Sequence, residues 1–394
     1  MVDSRPDIRY SDLAGLFLRM SVVAFGGPVA HIAMGEDEIV RRRGWMTREQ
    51  YLDIIAASNL IPGPNSTEVM IHVGHRAKGI PGAVFAGLCF ITPAFLITLA
   101  LALLYVRYGA LPQVEALLWG IQPVMIAIIV LAAWRLLPTA LHSRGLLAVF
   151  AAALALLALS DLPDVVVMLG AGLIYALMRA APRAAAALAL LPAGLPALQA
   201  AAPAAAPGLL SVFWEFLKIG SVLFGSGYVL VTYLEVDIVE RLGWITRTQL
   251  LDSIAIGQFT PGPVLTTATV VGTIIGGVPL ALAATVGIFL PAFVLVIVTA
   301  PLLPRLRSSV FWSAFLDGVN AAVVAAILVT VAHLASSAFA ALPGDPLPVG
   351  GLSPIALALA CVTGLGMLRF RINATLFIVL GAGVGALIGV LAPA

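Results

Sequence analysis

Glu68 and His72 stand in an otherwise apolar stretch of the chain. A carboxyl group and an imidazole at i, i+4 share one helix face. Histidine titrates near neutral pH, so the pair could take up and release a proton, or could simply hydrogen-bond. Immediately before them runs Pro62-Gly63-Pro64-Asn65-Ser66-Thr67. Both prolines lack an N–H and the glycine is permissive, so a helix must break here. A proline ahead of a helical run is a usual first-turn residue. A short helix is therefore expected to start at Asn65, with its electropositive N-terminal end pointing into the apolar region. The hydroxyls of Ser66 and Thr67 add donors suited to an anion. Pro261-Gly262-Pro263, followed by Thr266 and Thr267, offers the same parts again, without the Glu–His pair.

Two cations and two glycine breaks extend this pattern. Arg19 and Lys218 occupy matching places, about two turns into apolar helices. A cation there costs ~2.5–3.5 kcal/mol on insertion scales. Snorkelling or pairing with a carboxylate would relieve that cost. The presence of a base at both places favours a cationic floor for an anion. Phe25-Gly26-Gly27-Pro28 and Phe224-Gly225-Ser226-Gly227 interrupt the same helices. Broken backbone at membrane depth is tolerated only where it faces protein or a cavity, and its freed N–H groups can bind an anion. Close packing through small residues is compatible with that use. No zinc spacing or phosphate loop is present, and no cofactor or metal is expected. Cys89 and Cys361 are too sparse for a disulfide framework.

The elements that position these residues come in duplicate. Phe25-Gly26, Gly44-Trp45, Asp53 and Pro62-Gly63-Pro64 recur 199 residues later as Phe224-Gly225, Gly243-Trp244, Asp252 and Pro261-Gly262-Pro263. Pro93-Ala94-Phe95 recurs as Pro291-Ala292-Phe293. The chain therefore divides into an N-terminal half over 1–180, an Ala/Pro-rich linker over 181–208 and a C-terminal half over 209–394. Each half reads as a glycine-interrupted apolar helix, a charged amphipathic segment, the Pro-Gly-Pro segment and four apolar runs.

With 61% hydrophobic and 10% charged residues, the chain cannot cover a water-soluble surface, and apolar runs of ~20 residues imply spanning helices. The expected class is an all-α, multi-pass protein of the inner (cytoplasmic) membrane, with lipid as its surroundings and no nucleic-acid partner. Met1–Asp12 shows no cleavable signal pattern, so the first apolar segment is expected to be retained. Counting Lys and Arg by side favours re-entrant Pro-Gly-Pro segments. With the N-terminus outside, fourteen of the 21 fall inside and five, including Arg5 and Arg9, fall outside. Each half would then have about five spans plus one re-entrant segment, and the halves would be inverted repeats. That plan is common in secondary transporters.

Phe25-Gly26-Gly27-Pro28 with His31, Trp45, Pro62-Gly63-Pro64 and Pro93, repeated in degraded form, resembles the chromate transporter family in its long, two-domain form. The resemblance implies a membrane protein that exports chromate. Sulfate or another tetrahedral oxyanion is the alternative substrate, and an intramembrane enzyme is the least favoured reading. The candidate substrate site comprises Arg19, Lys218, Phe25, Gly26, Gly27, His31, Gly225, Ser226, Gly63, Asn65, Ser66, Thr67, Gly262, Thr266 and Thr267. Glu68 and His72 are candidates for proton coupling. In the second half Phe-Gly-Gly-Pro has become Phe224-Gly225-Ser226-Gly227 and no histidine follows where His31 would map, so the halves need not contribute equally.

Overall fold

A computed structural model describes residues 8–24, 27–109, 111–160, 162–180, 207–224, 227, 229–300, 309–340, 352–370 and 374–391. Their regular elements are helices. In the first half these are α1 (Tyr10–Val23), α2 (Gly27–Gly35, running on as a π-helical stretch Glu36–Arg42), α3 (Arg48–Ser58), α4 (Asn65–Tyr108), α5 (Pro112–Ala140), α6 (Arg144–Leu159) and α7 (Asp164–Ala180). The second half repeats them one for one. They are α8 (Leu209–Val222), α9 (Val229–Tyr233, continued by the π-helical Leu234–Arg241), α10 (Arg247–Phe259), α11 (Thr267–Thr299, after a 3₁₀ turn Val264–Thr266), α12 (Val310–Ala338), α13 (Pro354–Arg369) and α14 (Ala374–Leu391). Even the caps repeat. Thr47 and Gln50 form a reciprocal capping box ahead of α3, and Thr246 and Gln249 form the same one ahead of α10. Four helices, 65–108, 112–140, 264–299 and 310–338, are long and apolar enough to cross a membrane.

The first helix of each half does not run on through its glycine break, as the sequence suggested; the chain turns back there. Residues 19 and 38 would lie about 28 Å apart on one continuous helix, yet Arg19 Nη1 is 3.6 Å from Glu38 Oε1. Lys218 Nζ is likewise 2.9 Å from Asp237 Oδ1, and the Tyr233 hydroxyl donates to the Val222 carbonyl at 2.8 Å. Thus α1 and α2 form an antiparallel hairpin, and so do α8 and α9. At 14 residues, α1 reaches about 21 Å, short of a ~30 Å hydrocarbon layer.

A second reversal lies inside α4. The backbone leaves helical geometry at Lys78 and Gly79, and a side chain on Gly74 would meet the Gly82 carbonyl and Ala86. In α11 the break falls at Gly276 and Gly277, and the Thr269 and Thr285 hydroxyls meet at 2.8 Å. Sixteen residues of straight helix would hold that last pair about 24 Å apart. The part of α4 before its break therefore returns along the part after it. Each half opens with short hairpins, reversing after its first helix and again at Pro-Gly-Pro, and continues with longer helices.

The halves exchange their final helices. α14 packs on α5, where Gly120 faces the backbone of Gly381 and Gly385; α7 packs on α12, where Gly318 faces Ala171 and Gly172. Glycine at these contacts lets backbones approach closely, which is how helices associate where lipid supplies no hydrophobic drive.

Candidate anion site where the hairpin tips meet

Each Pro-Gly-Pro turn reaches into the other half. Gly63 N–H donates to the Leu223 carbonyl at 2.7 Å, and Gly262 N–H donates to the Ala24 carbonyl at 3.3 Å. Gly63 and Gly262 are repeat equivalents, as are Ala24 and Leu223, so the two bonds form a reciprocal pair like that of a two-fold interface. Only glycine fits. Gly63 and Gly262 have φ of +141° and +96°. A side chain on Gly63 would strike the Glu68 carboxyl group, and one on Gly262 would strike Ala94 and the Ser21 carbonyl.

On the first-half side the tips carry a polar constellation. His31 is fully buried and spans two elements. Its Nε2 lies 3.1 Å from the Ala24 carbonyl and its Nδ1 3.2 Å from Ser66 Oγ. A carbonyl can only accept, so Nε2 carries the proton. His31 thereby ties the end of α1 to the first residues of α4. Asn65 donates to Asn59 at 2.7 Å across the Pro-Gly-Pro turn. Next to these, Ser21 Oγ, Thr67 Oγ1, both Glu68 carboxyl oxygens and His72 Nε2 are buried without a hydrogen-bond partner. Glu68 and His72 therefore do not bond to each other. Unpartnered buried polar groups are costly and rare in folded proteins, and five in one neighbourhood mark a place built for something polar. Ser21 was not singled out from the sequence; one hydroxyl in an apolar helix carries no signal until the Gly262 turn is brought against it.

The second-half side is drier. The residue matching His31 is Leu230 and that matching Ser66 is Leu265, both about 1% exposed. Thr266 and Thr267 donate their hydroxyls to the carbonyls of Pro263 and Val264, each at 2.8 Å. These hydrogens serve their own turn, so neither hydroxyl is the free donor expected from sequence. Gln258 Nε2, just before the second Pro-Gly-Pro, is a buried donor without a partner. Phe25, Gly26, Gly225 and Ser226 lie outside the described residues. Gly27 begins α2.

Arg19 and Lys218 take the carboxylate pairing that the sequence offered as the alternative to a cationic floor. Each pairs with a carboxylate that is itself repeat-related, Glu38 and Asp237, and Lys218 also meets Glu215 at 2.7 Å. Arg42–Glu38 at 3.0 Å and Arg241–Asp237 at 2.9 Å repeat as well. So do Arg48–Glu36 at 3.0 Å and Arg247–Glu235 at 2.6 Å. These networks clamp the arms of the hairpins together. Glu235, Glu240 and His333 bring ligand atoms near one another, but Arg247 binds both carboxylates and supplies the cation there.

A profile described as "Chromate transporter" matches residues 11–176 and 210–387. The chromate transport protein of Cupriavidus metallidurans is 30% identical over 401 residues, covering 99% of this chain and 95% of its own. That of Pseudomonas aeruginosa is 34% identical over 343 residues, covering 84% and 82%. A probable chromate transport protein of Synechococcus elongatus is 29% identical, covering 86% and 88%. No solved structure matches the chain. With the apolar helices and two matching halves, these findings make it a multi-pass membrane protein of all-α fold, and the chain belongs to the chromate transporter family.

Proposed function

We propose that this protein is a secondary carrier that exports chromate across the cytoplasmic membrane, binding it where the hairpin tips of the two halves meet. The observation that carries this reading is the reciprocal Gly63–Leu223 and Gly262–Ala24 contact, bordered by the buried and unpartnered groups of Ser21, Thr67, Glu68 and His72. The N-terminus of α4 supplies a positive helix end, while Ser66, Thr67 and His31 frame it. Gly63, Gly262 and Gly27 let backbone come close, and Asn65 holds the turn. Arg19 and Lys218 act through the arms they clamp rather than by touching the anion. Phe25, Gly26, Gly225 and Ser226 are assigned to the same site. Glu68 is the coupling group and His72 its neighbour in proton exchange; an ionised Glu68 repels a dianion, so it loads a proton before chromate binds.

The halves are proposed to be inverted repeats joined by the 181–208 linker. Support comes from where their ends meet. His142, between α5 and α6, is 3.9 Å from Asp317 near the start of α12, while His333 near the end of α12 is 3.6 Å from Glu240. In this arrangement the start of α1 shares a face with Arg41–Arg43, and Arg9 joins Arg48, Lys78, Arg135 and Arg179 there. That face is the cytoplasmic one by the positive-inside rule, with the N-terminus inside rather than outside. A dianion leaving a negative-inside cell gains ~2.3 kcal/mol per charge per 100 mV. Sulfate, of the same shape and charge, is the competing cargo. Labelled-anion flux into liposomes holding the purified chain, with chromate, sulfate and molybdate in competition, tests the substrate. Chromate flux with chromate the best competitor is expected; sulfate displacing chromate at equal concentration would make sulfate the cargo. Single cysteines beside Arg41 and beside Arg241 should label from opposite faces, and labelling from one face would end the inverted arrangement.

A further inference from the structure

Away from the tips, a second carboxylate is buried at the wall of a cleft. Asp252 on α10 is 3% exposed. The Tyr105 hydroxyl donates to its Oδ2 at 2.9 Å and Gln122 Nε2 donates to its Oδ1 at 3.1 Å. All three line a cleft of about 610 Å³ between the end of α4, the starts of α5 and α10 and the end of α12. Glu115 lines it too, and among the described residues no Lys or Arg does. Packed against the same helix, α11 contributes Ile274 and α12 contributes Ser337, while α14 carries no charged residue. Arg247, five residues earlier on α10, is engaged with Glu235 and Glu240. The carboxylate thus faces two neutral donors, one acid and no cation.

Further toward the tip, α4 meets the end of α10 at two hydroxyls. Thr98 lies seven residues before Tyr105 on α4, and Thr260 lies eight residues after Asp252 at the end of α10. Thr98 Oγ1 donates to Thr260 Oγ1 at 3.3 Å, and Thr260 directly precedes Pro261-Gly262-Pro263. The Thr98–Thr260 contact therefore lies between the cleft and a tip, along the line where α4 meets α10. The arrangement occurs once. Asp53, the repeat equivalent of Asp252, is exposed, and the residues matching Tyr105 and Gln122 are Leu303 and Asn320.

We propose that Asp252, with Tyr105 and Gln122, is the outer proton port of the carrier, exchanging the coupling proton with the cleft on the side opposite Arg41–Arg43. This rests on the reading of the tips as a chromate site coupled through Glu68. A metal ion is the wrong occupant, because hard cations need six or more oxygen ligands and an amide N–H and a hydroxyl O–H already point at the carboxylate. A proton needs only one oxygen. It bonds to a carboxylate oxygen from cleft water, and the new O–H donates to the Tyr105 oxygen. The Tyr105 hydrogen then turns toward the cleft, and the reverse movement releases the proton. Glu115 across the cleft raises the local proton concentration and repels chromate, so the mouth that admits protons also opposes return of the exported anion.

The test uses the full chain in liposomes, labelled chromate and a membrane potential clamped with potassium and valinomycin. Wild-type accumulation should change about tenfold per pH unit for each coupled proton. Asp252→Asn should lose that response yet keep chromate–chromate exchange at matched pH, and Tyr105→Phe should displace the pH of half-maximal flux. Infrared difference spectra between acid and neutral pH read the site without transport, and a protonated-carboxyl band of the wild type should vanish in Asp252→Asn. A full pH-gradient response in Asp252→Asn, or identical infrared spectra, would overturn the port. If Asp252→Asn fails to insert, an unshifted pH profile in Tyr105→Phe overturns it. If the wild type exchanges no chromate while the Asp252 band still titrates, the chromate reading fails and the proton site stands.

Discussion

The two halves share a backbone plan and differ in what it carries. Both reverse after the first helix, both have a Pro-Gly-Pro turn, and both carry the same three ion pairs. At the tips, however, the first half places His31, Ser66 and Glu68 where the second places Leu230, Leu265 and Thr267. Along α3 and α10 the polarity runs the other way, since Asp53 is exposed and Asp252 is buried against Tyr105 and Gln122. A duplicated frame supplies the crossing of tips, which needs two copies, and each copy is then free to specialise. On this account the first half contributes the anion and coupling groups, and the second contributes an apolar wall and the approach from the opposite face.

The largest effects should come from breaking the tips themselves. Gly262→Leu and Gly63→Leu each put a side chain at positive φ, which costs about 1–2 kcal/mol, and overpack a closed contact, which costs about 1–3 kcal/mol more. Both should abolish chromate flux. The alanine variants separate the halves. At Gly63 the obstacle is the movable end of Glu68, whereas at Gly262 it is the Ala94 methyl and the Ser21 backbone. Gly262→Ala should therefore lower the melting temperature more, and Gly63→Ala should disturb coupling more. Equal losses in both would mean that the tips are equivalent.

Next in size is the coupling group. Glu68→Gln keeps the shape of the protonated acid and removes the charge. It should bind chromate at least as well as wild type while its flux ignores a pH gradient. Thr267→Ala, at the equivalent place, should leave the pH response intact, because that hydroxyl bonds only within its own turn. A Thr267→Ala variant that lost the pH response would contradict the division of labour.

Smaller still are the clamps. Arg247→Ala strands Glu235, which is fully buried, and should cost about 1–3 kcal/mol as a buried group left without its partner. Arg48→Ala leaves Glu36 with 22% of its side chain exposed and should cost at most about 1 kcal/mol. Thermal unfolding in detergent distinguishes them. Arg19→Ala, whose side chain is 62% exposed, should be the mildest, with chromate affinity near wild type. A large loss of affinity there would return Arg19 to the binding site.

The duplicate plan was legible because Pro-Gly-Pro, Gly-Trp and Pro-Ala-Phe are rare strings in an apolar background and recur at offsets of 199, 199 and 198 residues. The helical class was legible from apolar length. The reversals after α1 and α8 and inside α4 and α11 were not, whereas charge counting favoured re-entrant Pro-Gly-Pro segments. A glycine or proline break says that a helix stops, and nothing local says whether the chain continues or returns; that is decided by distant partners such as Glu38 for Arg19. For the same reason the cations read as free when their carboxylates lie 19 residues on. The fate of Asp252 was equally hidden. Tyr51-Leu52-Asp53 and Leu250-Leu251-Asp252 look alike in sequence, and the difference comes from Tyr105 and Gln122, which arrive from the other half.

The central claim is that chromate sits among the crossed tips, beside the start of α4. Crystals of the protein grown in lipid and soaked in chromate allow the chromium to be located by its anomalous scattering at the absorption edge. The account predicts a peak within hydrogen-bonding reach of the Ser66–Thr67 turn, next to His31 and between Gly63 and Gly262. A chromium peak at the Arg19–Glu38 or Lys218–Asp237 clamps, with none at the tips, would contradict it.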